Sequence, residues 1–189
     1  MTGLVVQLLR QHFSDGHNIG EPSLRGTLWR TTNPTGIVIE SSTKWDPSKG
    51  GQLPAIVVKR NDYAFQRFGI NDQLMGGYGD DNSGAEWYTT FVIGSHTIFC
   101  LATEGAEAEV LGAETYFELL DFGPLFRRNF CLHRWVVQGV GAVHYLAEAA
   151  GAYFVPVTIS YAFEQVWKLR PDAPLLKKIG IRTVIDSAK

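Results

Sequence analysis

The chain has 189 residues, of which 45% are hydrophobic, 12% aromatic and only 19% charged, against roughly 25% charged in an average soluble domain. A formal net charge of −2 excludes a strongly basic nucleic-acid clamp, and five Trp, seven Tyr and eleven Phe exclude an acidic disordered tail. The length suits a single domain with a substantial core, and the shortage of charge points to surface hidden against partners.

In chain order, Leu4, Val5, Leu8, Leu9 and His12 recur at helical spacing and predict an amphipathic N-terminal helix over residues 4–13, ended by Ser14-Asp15-Gly16. Residues 4–9 are interrupted by Gln7 and followed by Arg10 and His12, which are poor flanks for a signal peptide, and the two separated cysteines, Cys100 and Cys131, suit a reducing compartment, so a cytosolic protein is expected. Residues 15–34 read as loop, with a candidate short strand at Thr27-Leu28-Trp29. The β-branched runs at 36–41 and 55–60 predict an antiparallel pair with a long connection. Residues 63–68 suit either a bent strand or a short helical turn, and the glycine-rich stretch 76–84 reads as a loop.

Three stretches, 87–103, 135–147 and 149–163, contain no Asp, Glu, Lys or Arg and are expected to hold the core. The first predicts a hairpin turning at Gly94-Ser95, and its Thr, Ser, Gly and His content argues against a membrane span. The third predicts a long strand reaching Trp167, with Pro156 implying an edge position or a bulge. Between them, Ala106, Val110, Ala113, Phe117 and Leu120 mark the apolar face of a central helix. Glu104, Glu107, Glu109, Glu114 and Glu118 are assigned to its wet side, and Phe122-Gly123-Pro124 closes it. A strand is expected around 135–138, a helical turn within 142–149, and a C-terminal arm over 170–189.

The chemistry-bearing residues form no catalytic signature. There is no phosphate loop, and Gly76-Gly77-Tyr78-Gly79 leads into two acids. The run from Asp80 to Glu86 has its glycine one place too early for a calcium loop, and Phe91 stands where the bidentate acid belongs. His96 with Cys100, and Cys131 with His133, are separated by even numbers and can share strand faces. Buried histidines beside small apolar cysteines explain them without a metal. No disulfide framework, cofactor, metal site or catalytic residue is expected.

The order of features resembles tail-terminator and tail-completion proteins from the neck of long-tailed bacteriophages. The resemblance rests on the N-terminal helix, a strand-rich middle with Lys44-Trp45-Asp46-Pro47 and Leu53-Pro54-Ala55-Ile56-Val57-Val58, an acid-led helix, and a long late strand ending at Glu164-Gln165-Val166-Trp167. It implies an α+β fold over 1–189 in which a bulged antiparallel sheet is flanked by an N-terminal and a central helix, with extended loops at 15–34 and 71–84. It also implies a structural virion protein and no enzyme: a homo-oligomeric ring, usually of six subunits, that caps the tail tube and joins it to the head-side connector. Such a ring contacts other neck and tail proteins, passes DNA without binding it specifically, engages no membrane, and is made in the host cytoplasm. Trp45, Tyr78, Asp80, Asp81 and Trp167 are the interface or channel candidates. A stopper, a sheath-associated ring or a tube subunit are close alternatives. A more distant rival is a small cytosolic enzyme or ligand-binding module using His96, His133 or His144.

Overall fold

The computed structural model describes residues 1–31, 36–46, 52–66, 86–147 and 151–169. Helix α1 (Thr2–His12) buries Val5, Val6, Leu8, Leu9 and His12 along one side, and Arg10 and His12 occupy its last turn, where the helix dipole favours positive charge. After α1 the chain folds back, so that Trp29 N–H donates to Phe13 O at 2.8 Å. The expected strand at 27–29 is therefore absent, and the segment instead holds a single 3-10 turn, Pro22–Leu24, capped by the Glu21 carboxylate on Ser23 N–H.

Seven strands form one mixed sheet: β1 (Val38–Ser41), β2 (Ala55–Arg60), β3 (Ala64–Gln66), β4 (Glu86–Ala102), β5 (Arg134–Val140), β6 (His144–Leu146) and β7 (Ala152–Leu169). Their spatial order is β1-β2-β4-β7-β5, with β3 also on β4 and β6 also on β7. The purely antiparallel expectation fails at β1 and β2, which pair in parallel, Val38 with Ala55 through Ser41 with Val58. The intervening residues 42–54 give the chain the dozen or so positions that a parallel return needs.

The hairpin expected at 87–103 is one unbroken strand, β4. Gly94 does not turn; it makes room. A Cβ at that position would lie 2.7 Å from the Tyr161 ring, so glycine lets a large aromatic of β7 lie against β4. Pro156 is likewise not at a sheet edge, because β7 runs between β4 and β5. It falls where the partner of β7 changes from β5 to β6, and Gly141 N–H donates to its carbonyl at 2.7 Å. The bulge lies across the ladder in β5, between Val137 and Gly139, where glycine supplies a φ of +153°. Residues 144–146 are strand β6 rather than the expected helical turn.

Helices α2 (Gly105–Asp121) and α3 (Gly123–Asn129) join α1 around the main core. β2 shows how the sheet divides its two faces. Ile56 and Val58 point to the main core with Leu9, Ile98, Leu111 and Ile159, whereas Ala55 and Val57 point to a smaller cluster with Leu101, Phe99, Phe154, Leu53 and Trp45. The three charge-free stretches supply strands of this sheet as expected.

The chain divides into two compact units, Met1–Gln66 with Phe91–Glu164, and Arg67–Thr90 with Gln165–Lys189. All packing described here belongs to the first. Of the second, the described residues are 86–90 and 165–169, which are parts of β4 and β7.

Candidate functional site

Helix α2 places its side chains differently from the sequence expectation. Its buried residues are Ala108, Leu111, Gly112, Glu114, Thr115 and Leu119. Of the stripe Ala106, Val110, Ala113, Phe117 and Leu120, read as the core face, Ala106, Phe117 and Leu120 face outward, with Phe117 59% and Leu120 46% exposed, while Val110 and Ala113 are half-buried at its margin and Val110 packs against the main core. α3 follows directly and adds Leu125 at 49%, and Phe130, just past its end, is 43% exposed. Single exposed apolar side chains are ordinary, but several on consecutive helices mark a surface suited to a partner. The outer stripe is not flat. Val110, Ala113 and Phe117 face Gly20 and Glu21 across a hollow of about 320 Å³, large enough to seat a partner's side chains.

The inner face of α2 carries the polar groups. Glu114, placed on the wet side by the sequence, is 8% exposed. Its Oε1 accepts from His12 Nε2 at 2.8 Å and from Gly20 N–H at 2.9 Å, and its Oε2 accepts from Glu21 N–H at 3.2 Å. The other ring nitrogen, His12 Nδ1, lies 2.8 Å from Glu118 Oε2. Burial opposes charge on His12, but the hydrogen bonds and charges of Glu118 and Glu114 outweigh it, and the pKa lies above the ordinary histidine value. When the ring is protonated both nitrogens donate to carboxylates, and neither is left to act as a base. The group pins α1 to α2 and holds the 20–21 turn. Glu114 and Glu118 stand four apart on one helix, and His12 completes the apolar stripe of α1; that spacing was the available signal for the cluster.

The other chemistry-bearing residues separate. His96 and Cys100 share the inner face of β4, as their spacing predicts, and both are fully buried. The Cys100 thiol, 3.5 Å from Thr115 Oγ1, is pushed up to about 12 by burial, which makes it inert at neutral pH. His96 Nε2 meets Thr2 Oγ1 at 2.8 Å, but Nδ1 has no partner, so the expected satisfied histidine is only half satisfied. Its pKa is lowered to about 4 by burial, the amino terminus and Arg60. Cys131 and His133 correct the burial expectation outright: both are exposed, in the turn leading into β5. His144 is also exposed, with its ring 5.3 Å from Phe154.

Of the interface candidates, Trp45 packs half-buried against Ala55, Val57 and Leu101 on the second sheet face. It borders an apolar groove of about 190 Å³ with Phe99, Leu146 and Phe154, and its indole N–H is buried without a partner. Trp167 lies in β7, and its side chain is outside the described residues, as are Tyr78, Asp80 and Asp81 entirely. Among the described residues no three His, Cys, Asp or Glu side chains are grouped to hold a metal, and no helix is long and apolar enough to cross a membrane. No protein-family model matches the chain, and no curated protein matches its sequence.

Proposed function

We propose that the protein is a structural subunit of a bacteriophage neck, assembling into a ring that caps the tail tube and joins it to the head-side connector. The observation that carries this reading is the outward apolar stripe of α2. Its geometry suits a second copy of the same chain. Outside the His12 cluster, helix α2 presents Glu107, Glu109 and Asp121, and it bears no basic residue. Exposed arginines occur elsewhere, at Arg127 and Arg128 of α3 and Arg134 of β5. Two unlike, complementary patches on one subunit are what a closed ring requires. The α+β architecture, with α2 between the two longest strands, agrees with the element order of the resemblance.

Negative-stain electron microscopy of the purified protein tests the proposal. A discrete ring of uniform diameter is the expected result. Long stacked tubes would favour a tube subunit, and featureless single particles at micromolar concentration would overturn a ring.

A further inference from the structure

Three basic residues remote in sequence line one cleft. Arg10 comes from α1, Lys44 from the turn after β1, and Arg60 from the end of β2; Thr2, Gln7, Ser41, Ser42 and Thr43 complete the polar wall. The cleft has a volume of about 640 Å³, within the usual range for small-molecule sites. Among the described residues no Asp or Glu lines it. Among the described residues neither Lys44 nor Arg60 forms an ion pair.

The two guanidiniums are held in place before any ligand arrives. Arg10 Nε donates to Ile39 O at 3.0 Å, and its guanidinium carbon lies 5.1 Å from the Trp29 ring centroid, which leaves the terminal nitrogens available. Arg60 is braced in the same way, 5.0 Å from the Tyr63 ring centroid. The hydroxyl-rich turn is tied to β2 by Ser42 N–H to Val58 O at 2.9 Å and closed by Lys44 N–H to Ser41 O at 2.9 Å. Ser41 and Thr43 hydroxyls lie 2.9 Å apart. Beneath the cleft, His96 touches the lining residue Thr2 and titrates low partly because of the positive charge of Arg60. Two guanidiniums resting on aromatic rings, an ammonium and several hydroxyls, with no carboxylate among the described lining residues, supply the positive charge and hydrogen-bond donors that attract a phosphate group.

We propose that this cleft binds a small phosphate-bearing anion through Arg10, Lys44 and Arg60. The test uses inorganic pyrophosphate, titrated into the full chain by isothermal calorimetry at constant ionic strength. Saturable binding is expected, weakened at least tenfold by Arg60→Gln and about as much by Lys44→Gln. Lys59→Gln is the control, because it removes the same charge one residue away on the opposite face of β2, and it should change the affinity less than twofold. All three sites are exposed, so circular dichroism should find each variant folded. The absence of saturable binding, or equal weakening by Lys59→Gln and Arg60→Gln, would overturn the proposal.

Discussion

The inner and outer faces of α2 reverse the usual assignment. The inner face buries a glutamate, a threonine and a glycine among two leucines, while the outer face exposes a phenylalanine and a leucine. The inner polar groups are tolerated because each finds a partner: Glu114 accepts three hydrogen bonds, and Cys100 meets Thr115. On the outer face Phe117 meets the neighbouring Tyr116 ring edge-on, yet it and Leu120 stay largely exposed. The inner face fixes the subunit, and under the proposed ring the outer face is the one left for assembly.

The largest effect expected from breaking the inner face follows from Glu114→Ala. It leaves His12 with one carboxylate and orphans the Gly20 and Glu21 N–H groups, and loss of one partner from a buried ion pair costs about 3–5 kcal/mol. Urea unfolding at pH 6 measures it, and a loss under about 1 kcal/mol would contradict the pinning role. Next comes Gly112→Ala. The added Cβ would lie 2.9 Å from Val155 Cγ1, and overpacking of this kind costs about 1–3 kcal/mol by the same assay.

A pH series separates the two buried histidines. The pKa of His12 is raised in the fold, so its contribution is complete below the unfolded value of 6.5 and is lost as pH rises through the folded value. The wild type should therefore lose stability more steeply above pH 6.5 than His12→Gln does. His96 has the opposite sign. Its contribution is present above pH 6.5 and is lost as pH falls toward about 4, so His96→Phe should flatten the acid side of the curve. Chemical denaturation midpoints from pH 4 to 8.5 check both, and matching curves for wild type and His12→Gln above pH 6.5 would rule out a raised His12.

The smallest effect on folding belongs to the outer face. Phe117→Ser with Leu120→Ser should change subunit stability by no more than about 0.5 kcal/mol each, because both side chains are exposed. A loss of several kcal/mol, measured on the dissociated subunit, would show that the stripe is core after all.

The elements were largely legible in sequence, and their arrangement was less so. α1, α2 and the long strand β7 follow from periodicity and punctuation. The faces of α2 did not, because the helix carries apolar residues at two sets of helical spacings, and periodicity cannot tell which set meets the sheet. Gly94 was misread because a glycine that opens space for Tyr161 looks the same in sequence as one that turns the chain. The direction of β1 against β2 had the largest consequence. All of Ala55, Ile56, Val57 and Val58 are buried, so no alternation orients the pair. Parallel pairing sets Ser41 beside Val58, at the Arg60 end of β2, whereas a hairpin would carry it toward Ala55. The basic cleft depends on that register and was invisible without it. Trp45, an interface candidate in sequence, packs on the second sheet face with its indole N–H buried and unpaired, a placement its neighbours in sequence do not reveal.

Mass photometry of the wild type beside the Phe117→Ser, Leu120→Ser double variant tests most directly whether the outer face of α2 is an assembly surface. The expected result is a single oligomer peak for the wild type and a monomer peak for the double variant, with both equally stable as folded subunits. A monomeric wild type, or an oligomer unaffected by the double substitution, would contradict it.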